Sequence, residues 1–322
     1  MTAQGRDRAD VSVPLAAGTD DQAALRLRAT LIGFTAVLMW AVLALLTTLS
    51  GSVPPFQLVA MVFTVAFALA VGKWTLAREN PFRHLRQPPS VWLVGVYGLF
   101  GFHALYFTAL RSAPAVEASL IAYLAPLLII LFSALLPGER LRWFHLLGAL
   151  AGLAGAAVLV TGGKAQIGFR AEFLTGYLAA LACALIWSSY SVLSRRIAHV
   201  PTDIVGGYCG AAALLGLAGH LAFETTIWPQ GLEWLAILGL GLGPVGAAFF
   251  TWDHGCKRGD IKALGASMYA APLLSTIVLV IAGKAALTWA VAAACLLITG
   301  GAAVAAAGLF RRSASPGSMR GK

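Results

Sequence analysis

Charge is scarce in this 322-residue chain: Asp, Glu, Lys and Arg make up only 11% of it, against 59% apolar residues. A water-soluble domain carries roughly 25% charged residues, because its core needs a polar shell. That shortage excludes a soluble enzyme or binding domain. Cysteine is also sparse. Cys183, Cys209, Cys256 and Cys295 lie in or beside apolar runs without metal-ligand spacing. A disulfide framework and a zinc site are therefore excluded, and each cysteine reads as a small apolar filler. A nucleotide-binding module is missing too. Gly241, Gly243 and Gly246 have the spacing of a dinucleotide fingerprint, but no soluble strand precedes them. The context that fingerprint needs is absent. Close helix packing accounts for them, as it does for Gly148 with Gly152 and Gly206 with Gly210.

What is present is a succession of long apolar runs. A membrane-spanning helix needs about 20 mostly apolar residues. The runs 29–49, 55–77, 91–112, 115–136, 143–162, 174–194, 203–223, 232–255, 261–283 and 286–309 meet that need. They are continuous, unlike the short alternating segments of a membrane β-barrel. The expected fold is an all-α integral membrane protein of ten transmembrane helices.

The net charge of +10 raises the possibility of nucleic-acid binding. Its distribution argues otherwise. All of the 23 Lys and Arg residues except Arg111, Lys164, Arg170 and Lys284 fall in the N-terminal tail, alternate connections and the C-terminal tail. This is the positive-inside pattern, and it predicts an even number of spans with both termini in the cytoplasm. Residues 1–28 read as a polar cytoplasmic tail. They hold no apolar stretch of the kind a cleaved signal peptide requires. Residues 311–322 read as a basic cytoplasmic tail. A short ten-span chain of this kind suggests a bacterial inner membrane, with the lipid bilayer as its partner and a monomer or weak oligomer as its state.

The two halves repeat. At a shift of 146 or 147 residues, Trp40 matches Trp187 and Val53-Pro54 matches Val200-Pro201. Tyr123 and Pro126 match Tyr269 and Pro272, and Trp143 matches Trp289. The repeats are expected at 29–162 and 174–310, joined by an external linker at 163–173. Five spans per half is an odd number, so the second half must run in the opposite direction. Inverted repeats are a recurrent plan of secondary transporters, with substrate near the midplane between them.

His103 lies about twelve residues into the third run, roughly 18 Å from its start at 1.5 Å per residue. An ionisable group at that depth is costly and is a functional candidate by default. It could bond a substrate or titrate during transport; the alternative is a neutral His bonded to a backbone carbonyl. Tyr106 and Phe107 follow on the same helix face. In the second half Phe249 stands in the place of His103, with Trp252 and Asp253 after it. With Trp40, Tyr123, Trp187, Tyr190 and Tyr269 these residues would ring a cavity suited to an amphipathic substrate. Pro126 and Pro272 each remove a backbone donor near mid-span and should kink their helices. They are candidate hinges, leaving the carbonyls of Ala122 and Met268 without their usual partners. Asp253 and His254 read as a surface cluster with Lys257 and Arg258, and Glu117 as facing water near Arg111. One deep His with no deep carboxylate is no catalytic constellation. No enzyme activity, cofactor or metal is expected.

The string Ser119-Leu-Ile-Ala-Tyr123-Leu-Ala-Pro126, then Pro137-Gly-Glu139, resembles the drug/metabolite transporter superfamily, in its ten-helix group of duplicated five-helix units. Ser267-Met-Tyr269-Ala-Ala-Pro272 is its second copy. The second half departs at Gly283-Lys284-Ala285, where the family often repeats Gly-Glu. The segment from Trp252 to Asp260 is similar to the eighth-span ending of the aromatic amino acid exporters, with Asp253 and Asp260 where Asn is expected. The resemblance implies a secondary transporter that exports aromatic or other neutral amino acids and related metabolites by alternating access. Nucleosides, cationic compounds and thiol metabolites are alternative cargoes for the same fold. A cationic drug would want a buried acidic partner, and no carboxylate is expected at mid-depth.

Overall fold

The computed structural model describes residues 19–163, 170–283 and 286–313. Among these residues there is helix and connection but no strand. Helix α1 runs Thr19–Trp40 and resumes as Leu43–Leu49; α2 is Pro55–Leu76. Helix α3 joins Pro89–Val96, Tyr97–Gly101 and Phe102–Ser112, and α4 joins Ala115–Ala122 and Leu124–Ser133. Helix α5 is Trp143–Thr161, α6 is Ala171–Arg196, α7 is Ile204–Phe223 and α8 is Leu232–Arg258. Helix α9 joins Ile261–Ser267 and Ala270–Ile281, and α10 is Trp289–Ser313. Seven helices among the described residues are long and apolar enough to cross a bilayer: those of α1, α2, α5, α6, α7, α8 and α9. Glu117–Ser133 in α4 and Trp289–Ala305 in α10 are apolar but shorter. The protein is a multi-pass membrane protein.

Helix α1 starts ten residues before the expected span. Hydropathy marks only the apolar part of a helix, and 19–28 is rich in good helix formers such as Ala, Leu, Gln and Arg. That extra length carries Arg26 to Glu139, a contact described below. The remainder of the expected N-terminal tail, most of the linker and the end of the C-terminal tail lie outside the described residues.

Irregularities in the two halves fall at matching places. Tyr97–Gly101 in α3 and Gly243–Ala247 in α8 are single π-helical turns. Such turns in otherwise α-helical segments are frequent at functional sites. Helix α4 breaks at Tyr123 and α9 breaks across Met268 and Tyr269, three residues before Pro126 and Pro272 respectively. Proline lacks an N–H and its ring clashes with the carbonyl four residues back, so the break falls there. The Met268 carbonyl is not orphaned: it accepts from the Ala271 N–H at 3.0 Å.

Packing also follows the repeat. Helix α1 lies on α8 and α3 lies on α6, while α2 meets α7, α4 meets α9 and α5 meets α10. Inside a bilayer, lipid tails are as apolar as leucine, so small residues that admit close backbone contact do much of the work of association. A Cβ added at Gly33 of α1 would lie 2.9 Å from the Gly255 Cα of α8. Gly148 of α5 likewise faces the Gly301 carbonyl of α10.

Candidate substrate site

An aromatic cluster forms where α1, α2, α3, α6 and α8 meet. The Trp40 ring lies 5.7 Å from Trp187 and 5.3 Å from Trp252, centroid to centroid. Trp187 in turn lies 5.6 Å from Tyr190, 5.9 Å from Phe249 and 5.3 Å from Phe102. Phe63 stacks on Phe249 at 5.9 Å and meets the His103 ring edge-on at 5.1 Å. Phe102 stacks on Tyr106 at 5.7 Å. These are favourable separations for aromatic pairs.

The polar tips are held individually. His103 Nδ1–H donates to the Leu99 carbonyl at 2.6 Å, one turn back on its own helix. In the neutral ring this fixes Nε2 as the acceptor. The Trp40 indole donates to the Pro244 carbonyl in the π turn of α8 at 3.0 Å, and the Trp252 indole donates to Ser191 Oγ at 3.1 Å. Tyr106 bonds Ser119 of α4, and Tyr123 lies near it. The Trp187 indole N–H is buried with no hydrogen-bond partner. A buried donor left unpaired costs about 1–3 kcal/mol, so this one is poised for an acceptor.

Of the residues expected to gather, Trp40, His103, Tyr106, Trp187, Tyr190, Phe249 and Trp252 share this one cluster. Trp252 and Tyr190 are fully buried behind the others, while Trp40, His103, Tyr106 and Tyr123 are half-buried. Tyr269 sits elsewhere, in a second apolar core with Ile130, Ala149 and Ile298. Tyr123 packs against that second core while reaching towards Tyr106. Phe63 and Phe102 join the cluster without having been marked by the sequence. Phe102 adjoins His103 and could have been flagged on that ground; Phe63 carries no distinguishing pattern.

Charges gather at the basic end of the bundle. Glu139 pairs with Arg26 Nη2 at 3.0 Å, with Lys262 Nζ, and with Arg195 Nη2 at 3.5 Å. Arg26 also pairs with Asp260 at 3.0 Å. The set ties α1, the α4–α5 connection, α6 and the start of α9 together. Burial pushes the Glu139 carboxyl upward. The Lys262 hydrogen bond and the charges of Arg26, Lys262 and Arg195 outweigh it and hold the carboxyl below its ordinary range. At the same end Asp203 caps the seam between α2 and α7. Burial raises its carboxyl, but Lys73 and the Trp74 indole hold it lower overall.

Two sequence expectations are corrected here. Asp253 and Lys257 are not surface residues. They form a fully buried pair at 2.8 Å, each side chain 1% exposed. Thr202 donates to Asp253 at 2.7 Å and Lys257 donates to the Val200 carbonyl at 3.1 Å, so the pair clips α8 to the α6–α7 connection. An i,i+4 pair in the last turns of a helix reads as solvated unless a loop folds over it, and hydropathy cannot show the loop. Glu117 does not simply face water: it is half-buried and accepts from the Tyr177 hydroxyl of α6. The Arg111 side chain lies outside the described residues.

The EamA-like transporter family matches the chain twice, over residues 27–161 and 174–307. The chain belongs to that family. The aromatic amino acid exporter YddG of Ancylobacter novellus is 57% identical over 87% of this chain and 97% of its own length. A probable terminal-alkyne amino-acid exporter of Streptantibioticus cattleyicolor is 25% identical over 67% of this chain and 71% of its own length. A solved crystal structure, 55% identical, superposes with a TM-score of 0.84 over 89% of this chain and 100% of that one.

Proposed function

We propose that this transporter exports aromatic or other neutral amino acids and related small metabolites across the bacterial inner membrane by alternating access. The observation that carries the reading is the aromatic cage. It is built by both halves at once and holds one buried, unpaired N–H, that of Trp187. Apolar walls around the buried indole donor of Trp187 match an amphipathic solute: the ring lies among Trp40, Phe63, Phe102 and Phe249, and the carboxylate accepts from Trp187. The name of the YddG relative supports the substrate class.

In this reading the ten helices all cross the membrane as two inverted repeats, 29–162 and 174–310. The double family match supports the duplication. The direction of the second half is supported by the contacts of the charged end: α1 begins there, through Arg26, whereas α6 ends there, through Arg195. The positive-inside count puts that end, and both termini, in the cytoplasm. In this reading Glu139 and its cations are the closure of the cytoplasmic side. Pro126 and Pro272, beside the breaks in α4 and α9, are the proposed hinges of the switch.

Counterflow in proteoliposomes tests the proposal with labelled phenylalanine, tryptophan, tyrosine, methionine, threonine, a nucleoside and a cationic dye. Saturable exchange of the aromatic amino acids, weakened in His103→Ala and Trp187→Ala, is the expected result. Exchange of only the nucleoside or dye would overturn the substrate class.

A further inference from the structure

A groove of about 600 Å³ opens on the outer surface of α8, between α1 and α2. It lies apart from the aromatic cage. Its apolar walls are Ile32, Leu69, Ala247 and Phe250, and its mouth at the basic end holds Lys73, His254 and Arg258. From Ala247 to Arg258 is eleven residues, roughly 16 Å along the helix at 1.5 Å per residue. That length accommodates much of one acyl chain. Leu69 is 36% exposed, and Phe250, Thr251 and His254 are half-buried along one stripe of α8, so the groove faces the bilayer and not the bundle interior.

The charge at the mouth is unbalanced. Lys73 is paired with Asp203, the one carboxylate in the lining. Arg258 is exposed and bonds the His254 ring at 2.9 Å, with no carboxylate partner among the described residues. Arg28, also exposed, bears electrostatically on the same His254. Arg258, beside His254, and the ion-paired Lys73 thus stand at the end of an apolar channel. Basic pockets between helices on the cytoplasmic side are suited to anionic lipid headgroups.

We propose that this groove binds an anionic phospholipid, its phosphate at Arg258 and Lys73 and one acyl chain along Phe250 and Leu69. The proposed orientation bears only on which leaflet supplies the lipid. The lipid would brace α8 against α1 and α2 from outside, at the helix that also carries Trp252 and Phe249.

Native mass spectrometry of the detergent-purified full chain, titrated with phosphatidylglycerol, phosphatidylcholine or inorganic phosphate, tests this without any transport readout. Phosphatidylglycerol should bind as a discrete adduct, at least about five-fold tighter than phosphatidylcholine, since each surface cation is worth about a factor of five. Arg258→Glu should remove that preference. Thr251→Trp, which fills the groove floor without touching the cations, should weaken both lipids. Equal binding of the two lipids, or phosphatidylglycerol binding untouched by both variants, would overturn the proposal. So would inorganic phosphate displacing the lipid at equal concentration, because the apolar channel would then contribute nothing. A failure of the counterflow experiment would leave this result standing, and the reverse also holds.

Discussion

The same tryptophan stands in the first helix of each half, in two different settings. Helix α1 stops at Trp40 and resumes at Leu43, and the half-exposed Trp40 indole donates to the Pro244 carbonyl of α8. Helix α6 runs unbroken past Trp187, which is 3% exposed and has an unpaired indole N–H. The tyrosines differ in the same sense: Tyr123 is half-buried beside Tyr106, and Tyr269 is sealed in the second core. Duplicated sequence does not impose duplicated environments. Residues at matching positions of the two halves can therefore be told apart by their surroundings.

The halves can be separated by mutation, and the largest effect belongs to a pair that only the second half has. Asp253→Asn leaves Lys257 buried without its partner, a situation that costs about 3–5 kcal/mol. A large fall in the unfolding temperature in detergent is expected. The double variant Asp253→Leu with Lys257→Met should recover most of it, because no uncompensated charge remains. Phe107 stands at the matching register of the first half, so no equivalent pair exists there to break.

Glu139 is the next test, and it belongs to the first half. Glu139→Gln strips Arg26, Arg195 and Lys262 of their shared anion and should cost about 1–3 kcal/mol. A cysteine placed on the cytoplasmic end of α4 should then react faster with a charged thiol reagent. The pH dependence has a definite sign. The folded carboxyl titrates below its ordinary 4.5, so its stabilisation is complete above that value and is lost as pH falls below it. The wild type's advantage in unfolding temperature over the Gln variant should therefore be complete at neutral pH and vanish only under acid.

Smaller effects distinguish the two tryptophans. Trp40→Phe removes a made hydrogen bond and should cost about 0.5–1.5 kcal/mol in stability. Trp187→Phe removes an unsatisfied donor and should leave stability unchanged or slightly raised. Its effect should appear in amino acid affinity instead, read by equilibrium binding of labelled phenylalanine.

Much of this was legible in the sequence. Apolar runs separated by basic connections mark the helices, and paired Trp, Tyr and Pro residues mark the duplication and the breaks in α4 and α9. Trp40, His103, Tyr106, Trp187, Tyr190, Phe249 and Trp252, all singled out in the sequence, meet in one cluster. What escaped had long-range causes. Phe63 joins through the packing of α2 on α8, and the buried state of Asp253 and Lys257 depends on Thr202 and Val200, some fifty residues away. The α1 extension that brings Arg26 to Glu139 is invisible to hydropathy. The π turn at Tyr97–Gly101 has no proline to announce it, whereas its counterpart contains Pro244.

The most direct test of the central claim is the affinity of purified protein for phenylalanine in wild type, Trp187→Ala and Trp143→Ala. Trp143 is 74% exposed at the far end of α5 and serves as the control. A loss of about tenfold or more in Trp187→Ala, equivalent to about 1.4 kcal/mol, with Trp143→Ala matching wild type, is the predicted result. Equal affinity in all three proteins, each shown to be folded, would contradict a substrate site built on the aromatic cage between the halves.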